Sequence, residues 1–200
     1  LSGNDKHSTY RDSLVVRDYK GNDEYNALTD EDSGGWIEGF DYAGNDTYNV
    51  VGGNSYRFTD YKGKDKYNIN GMKYNIEFHD KGKGNDTYTI NNCVNIKDGD
   101  HFIITDEKGN ETYKVTNLVF DSTKFDPDSE YYAITDESGN DNYDMTGVGY
   151  AKFKDLKGND KITIKNSETV YFTDMAGNDK WTLTGVNDDV FVWDKAGKTT

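Results

Sequence analysis

Apolar side chains recur along this chain at every second residue, in short runs on either side of an acidic, glycine-bearing turn. Counting back from the Asp that leads each turn, the second and fourth residues are Val16 and Leu14, Gly39 and Ile37, Phe58 and Tyr56, Phe78 and Ile76, Ile104 and Phe102, Ile134 and Tyr132, Phe153 and Ala151, Phe172 and Val170, and Val192 and Val190. Only Gly39 breaks the apolar or aromatic rule. Counting forward from the second acid of each turn, the second and fourth residues are His7 and Thr9, Tyr25 and Ala27, Tyr48 and Val50, Tyr67 and Ile69, Tyr88 and Ile90, Tyr113 and Val115, Tyr143 and Met145, Ile162 and Ile164, and Trp181 and Leu183. The positions between are mostly Lys, Thr, Asn and Glu. Period-two alternation predicts strands with one buried face.

The turn joining each pair of strands reads D-x-x-G-N-D-x-(Tyr/Trp/Ile)-x-apolar, clearest in Asp174 to Leu183. Copies begin at Asp18, Asp41, Asp60, Asp80, Asp106, Asp136, Asp155 and Asp174, with partial copies at Ser2 to Asp5 and Asp194 to Gly197. Turn glycines Gly3, Gly21, Gly44, Gly63, Gly84, Gly109, Gly139, Gly158, Gly177 and Gly197 lie 18 to 30 residues apart, a period that signals an array. Each period is strand, acidic turn, strand and a looser corner, and the inner faces are buried only if periods stack. The fold expected is all-β: a two-sided parallel β-solenoid, or β-roll, of about nine coils with one Gly-Asn-Asp turn per coil. At about 4.8 Å per strand the rod is roughly 43 Å long. Glycine is expected in the turn for positive φ and inward-facing carbonyls.

The far corner swells in three places, over residues 28–36, 91–101 and 116–131, all on one edge of the rod. Loops that vary on a repeating scaffold are natural recognition surfaces, and tolerated insertions are the plainer reading. Tyr19, Tyr42 and Tyr61 occupy equivalent turn positions and predict an aromatic strip; Tyr171, Phe191 and Trp193 form a second outward patch.

Composition complicates this picture. Leu, Ile, Val and Phe make up 37 of 200 residues and the net charge is −14, values typical of disordered chains. The periodicity reconciles the two if the chain folds only once its charge is neutralised. No basic stripe exists to meet nucleic acid or an anionic membrane, and no apolar run is long enough for a membrane span. The single Cys93 excludes an internal disulfide framework. His7, His79 and His101 fall in different coils and no nucleophile context is recognisable, so an enzyme is not expected. Residues 1–200 read as one repeat solenoid, a segment of a longer protein.

Stacking places the turn acids in two columns. One holds Asp18, Asp41, Asp60, Asp80, Asp106, Asp136, Asp155, Asp174 and Asp194; the other holds Asp5, Asp23, Asp46, Asp65, Asp86, Glu111, Asp141, Asp160 and Asp179. Like charges about 4.8 Å apart repel by roughly 3.5 kcal/mol at an effective dielectric of 20. A hard divalent cation between turns removes that repulsion, and an oxygen-only ligand set points to several stacked Ca2+ ions. The competing reading is metal-free: Asn22, Asn45, Asn85, Asn110, Asn140, Asn159 and Asn178 stack as an amide ladder while Lys20, Lys62, Lys83, Lys108 and Lys157 offset the acids.

The G-N-D-x-Y-x-apolar core resembles the RTX nonapeptide G-G-x-G-x-D-x-U-x, a calcium-binding β-helix repeat. The resemblance implies calcium held between successive turns by Asp5, Asp23, Asp46, Asp65, Asp86, Asp141, Asp160 and Asp179, with Glu111 a departure and Thr199 a loss. The doubled glycine is absent and each coil carries one such turn, a layout similar to the one-sided calcium solenoids of bacterial surface adhesins. The leading Asp lies outside the RTX core and either completes the site or caps the turn. The function expected is a calcium-binding structural module, secreted or on a bacterial cell surface, folding on calcium after export and flanked by further repeats of the same protein. The alternative is an adhesin-like module whose swollen corners bind a glycan or host surface.

Overall fold

The computed structural model of the protein describes residues 3–10, 13–28, 36–52, 55–73, 75–96, 102–123, 125–128 and 131–195. Its strands, in chain order, are β1 (Lys6–Tyr10), β2 (Leu14–Asp18), β3 (Glu24–Leu28), β4 (Trp36–Asp41), β5 (Thr47–Val51), β6 (Ser55–Asp60), β7 (Lys66–Asn70), β8 (Asn75–Asp80), β9 (Thr87–Ile96), β10 (Phe102–Asp106), β11 (Thr112–Phe120), β12 (Ile134–Asp136), β13 (Asn142–Thr146), β14 (Ala151–Asp155), β15 (Lys161–Lys165), β16 (Val170–Asp174), β17 (Lys180–Thr184) and β18 (Val190–Asp194). Odd-numbered strands form one sheet of nine and even-numbered strands another, each ordered along the chain, with every pairing parallel. This is the two-sided parallel solenoid that the alternation predicts. No helix among the described residues is long and apolar enough to cross a membrane.

The register is strict where the turn motif is strict. Asp18 pairs with Asp41, Asp41 with Asp60, Asp60 with Asp80 and Asp80 with Asp106, and the run continues through Asp136, Asp155 and Asp174 to Asp194. Between the sheets, Tyr25, Tyr48, Tyr67, Tyr88, Tyr113 and Tyr143 stack in one buried pile with ring centroids 4.6 to 4.9 Å apart. Phe58 and Phe78 of the opposite sheet meet that pile edge-on. Burying each such ring stabilises the fold by about 2–3 kcal/mol. In the last described coil Leu183 and Val192, inner-face residues by pattern, are exposed.

The far corner is more regular than its sequence implies. Gly52, Gly71, Asn92, Asn117, Gly147, Asn166 and Gly185 stand at equivalent positions, all with φ between 47° and 68°. Glycine and asparagine tolerate that left-handed conformation at least cost. Two of the swollen corners are also partly strand: β9 and β11 run past the corner and pair there, Leu118 with Cys93 and Val119 with Val94. Cys93 is therefore a fully buried strand residue, not part of an irregular loop. The later part of the 116–131 corner lies against the outer face of the even sheet, where Phe125 contacts Tyr150 and Tyr171, and Lys152 Nζ donates to the Pro127 carbonyl at 2.9 Å. Residues 29–35 of the first swelling, residues 97–101 of the second, residues 124, 129 and 130 of the third, and Gly197 and Thr199 lie outside the described residues.

Candidate metal centres

The acidic turns stack so closely that their glycines have a steric role. A Cβ on Gly44, Gly63, Gly84, Gly139, Gly158 or Gly177 would collide with the carbonyl oxygen of the turn glycine in the preceding coil and with the carboxylate of its own coil's second acid. Among the described turn glycines, only Gly3, Gly21 and Gly109 lie in the left-handed range of φ. The expectation of positive φ throughout is thus corrected: close approach between coils, not backbone twist, excludes side chains here.

From Asp18 to Asp174 the leading Asp column is buried and hydrogen-bonded. One oxygen of each of these caps its turn, accepting the backbone N–H two residues on: Lys62 to Asp60 at 3.0 Å, Gly82 to Asp80 at 2.8 Å, Lys108 to Asp106 at 3.1 Å. The other accepts a hydroxyl from the tyrosine pile: Tyr25 to Asp41, Tyr48 to Asp60, Tyr67 to Asp80, Tyr88 to Asp106, Tyr113 to Asp136 and Tyr143 to Asp155, at 2.6 to 2.8 Å. The tyrosine of the motif is therefore a polar partner as well as a core ring. Where the pile is interrupted the leading Asp loses its donor. His7 replaces tyrosine opposite Asp18, and Ile162 stands before Asp174; Asp18 Oδ2 and Asp174 Oδ2 are buried without a hydrogen-bond partner.

The second column is differently wired. Oδ1 of every aspartate after Asp5 accepts the backbone N–H of its counterpart one coil earlier: Asp23 from Asp5, Asp46 from Asp23, Asp65 from Asp46, Asp86 from Asp65, Asp141 from Glu111, Asp160 from Asp141 and Asp179 from Asp160, at 2.5 to 2.8 Å. The remaining oxygens of Asp23, Asp46, Asp65, Asp86, Asp141 and Asp160, and both of Glu111, are buried with no hydrogen-bond partner. A buried carboxylate oxygen left unpaired is costly, so a run of them one coil apart marks a place for a counter-charge.

The two columns converge. Carboxylate oxygens of Asp23, Asp41 and Asp46 lie within 4.8 Å of one another, as do those of Asp46, Asp60 and Asp65, of Asp65, Asp80 and Asp86, and of Asp86, Asp106 and Glu111; Asp5, His7 and Asp18 form a similar group, and three further groups occur. Oxygens on opposite sides of a calcium ion, each about 2.4 Å from it, are about 4.8 Å apart. Asp5 and Asp194 are the partly buried members of the two columns; the others are buried.

Without a cation Asp46, Asp60, Asp65 and Glu111 hold protons far above the usual carboxylate range. Burial, opposed by the Asp23 N–H and aided by neighbouring carboxylates, raises Asp46 to about 7. Burial and then the charge of Asp80 raise Asp60 to about 8, and burial with the charge of Asp60 raises Asp65 to about 10. Glu111, whose extra methylene carries its carboxyl toward Asp136 and Asp141, is pushed up to about 12, chiefly by burial. Among the described residues basic side chains relieve this only locally: Lys64 opposes the rise at Asp86 and His7 faces Asp18 at 3.6 Å, whereas the pairs of Lys6 with Glu24, Arg57 with Glu77 and Lys165 with Asp144 lie outside the columns.

The amide ladder is present beside the columns. Asn45 donates its backbone N–H to Asn22 Oδ1 at 2.9 Å, Lys64 to Asn45 at 2.9 Å, Asn140 to Asn110 at 2.9 Å and Asn159 to Asn140 at 2.9 Å. It runs along the exposed flank of the turn and leaves the buried oxygens unpaired. Tyr19, Tyr42 and Tyr61 stack on one another with centroids 5.1 Å apart. No family model matches the chain, and no curated protein or solved structure matches it either.

Proposed function

We propose that the protein is a calcium-loaded structural solenoid, with ions held between consecutive turns by the carboxylates of the two columns. The observation that carries this is the file of buried, unpartnered oxygens from Asp23 to Asp160, grouped in threes at the spacing of oxygens around one large cation. Oxygen-only ligands of adaptable geometry suit calcium over magnesium, which demands a tighter octahedron. The leading Asp completes each group while also capping its turn; a carboxylate oxygen has lone pairs for both. Folding is then coupled to calcium: the charged chain stays unfolded where calcium is scarce and folds in a calcium-rich extracellular medium, as befits a secreted or cell-surface module. The test is far-UV circular dichroism of the chain in chelator, titrated with calcium and, in parallel, magnesium. A cooperative gain of β signal with calcium alone is expected; a full β spectrum in chelator, unchanged by calcium, would overturn the proposal.

A second reading, recognition of a glycan, is favoured by a groove on the outer face of the even sheet. It is lined by Trp36, Glu38, Ser55, Arg57, Asn75 and Glu77, an aromatic platform with polar rims. Trp36→Ala should abolish retention on any glycan surface the protein binds while leaving its β signal intact.

A further inference from the structure

The first coil carries a histidine where the others carry tyrosine, isoleucine or tryptophan, and the difference changes what its acid group can hold. His7 is in register with Tyr25 and its ring stacks on the tyrosine pile, with centroids 5.0 Å apart. A tyrosine in this register reaches the next leading Asp with its hydroxyl. The imidazole is shorter, and His7 Nε2 stops 3.6 Å from Asp18 Oδ2, beyond hydrogen-bonding range. Both atoms are buried and lack any hydrogen-bond partner, and the Asp18 side chain is fully enclosed. Asp18 Oδ1 is meanwhile held by the N–H groups of Tyr19 at 2.7 Å and Lys20 at 3.2 Å, which fixes the carboxylate and leaves Oδ2 directed at the ring. Asp5 brings a third ligand atom, so that the three lie within 4.8 Å of one another.

We propose that Asp5, His7 and Asp18 form a distinct site for a transition-metal ion of the zinc class. Two ligands each about 2.1 Å from one zinc ion, at a tetrahedral angle, are about 3.4 Å apart. The 3.6 Å gap between His7 Nε2 and Asp18 Oδ2, too long for a hydrogen bond, is close to that separation. Imidazole nitrogen shifts preference from calcium and magnesium toward zinc, iron, copper and nickel. Two carboxylates and one imidazole leave a fourth position for water, and Asp5, only partly buried, gives solvent access to it. The rod would then carry two metal chemistries: hard cations along the columns and one softer ion at its first coil. The inference does not depend on calcium at the other turns.

Cobalt(II) added to the full chain in excess calcium is the direct probe, because a tetrahedral nitrogen–oxygen site gives it a strong visible absorption band. One equivalent is expected to bind with that band. His7→Tyr, which restores the residue found in the next coil, and His7→Gln should each abolish the band and weaken cobalt binding at least tenfold. The double variant His79→Gln/His101→Gln, which removes the other two of the three histidines, should keep both. Circular dichroism and calcium uptake should be unchanged throughout. A band that survives both His7 variants would overturn the assignment, as would a folded wild-type chain that takes up no cobalt. If calcium proves unnecessary for folding, the cobalt titration is run on the metal-free folded chain, so the two proposals fail separately.

Discussion

Replacing Asp65 and Asp60 by asparagine, one at a time, should remove different numbers of calcium ions. Of the acid groups named above, Asp65 belongs to two, with Asp46 and Asp60 below and with Asp80 and Asp86 above, whereas Asp60 belongs to one. Asp65→Asn is therefore expected to lower the bound calcium by two ions per chain and Asp60→Asn by one. Asparagine keeps the shape, and its amide oxygen can still accept the Asp46 N–H that Asp65 Oδ1 now accepts at 2.6 Å, so the coil stacking survives. In chelator the sign reverses. Two like charges about 4.8 Å apart at an effective dielectric of 20 repel by roughly 3.5 kcal/mol, and removing one of them should raise the residual β signal at alkaline pH. The assay is calcium content after desalting, paired with far-UV circular dichroism in chelator. Equal losses from the two variants, or no loss from either, would refute the shared-ligand geometry.

Protons should substitute for metal. An aspartate in the unfolded chain titrates near 3.9, whereas burial holds Asp46 at about 7, Asp60 at about 8 and Asp65 at about 10 in the metal-free fold. The folded state binds the extra protons, so its stability in chelator is fully present below about pH 4 and lost as pH rises through those values, by about 1.4 kcal/mol per pH unit for each carboxyl. Circular dichroism in chelator should show more β structure at about pH 5 than at about pH 8. Tyr67→Phe keeps the ring stack but deletes the 2.8 Å hydroxyl bond to Asp80; a loss of about 1.5–3 kcal/mol is expected by thermal melting in calcium. Gly63→Ala places a Cβ against the Gly44 carbonyl and the Asp65 carboxylate, and should cost about 1–3 kcal/mol or more in the same assay. The Cys93 thiol, buried and pushed up to about 11 chiefly by that burial, should resist a thiol reagent in calcium and react quickly in chelator.

Much of this architecture was legible because the buried faces repeat with period two and the turns with a fixed motif. Leu14, Val16 and Asp18 on one strand, Asp23 in the turn, and Tyr25 and Ala27 on the next strand place themselves once the coils are stacked. The tyrosine hydroxyl was harder to read. A large apolar ring explains Tyr48 or Tyr88 well enough, and only the rarity of phenylalanine at that position signals that a buried acceptor, here the leading Asp of the following coil, needs a donor. The far corner hid a rule as well. Gly52, Gly71, Asn92, Asn117, Gly147, Asn166 and Gly185 each stand six residues after a second-column acid, the positions where the chain turns left-handed. The strand extensions at Cys93 and Leu118 carry no such mark, because they depend on two neighbouring corners being long together. The turn glycines were read for φ when their task is steric, a distinction that exists only once coils are stacked.

The most direct measurement is anomalous diffraction from crystals grown in calcium. The account predicts a row of peaks spaced one coil apart between the two columns, one for each all-carboxylate group, with carboxylate oxygens about 2.3–2.6 Å from each ion. A well-ordered solenoid grown in excess calcium with no peaks there, and with its carboxyls paired through shared protons, would contradict it.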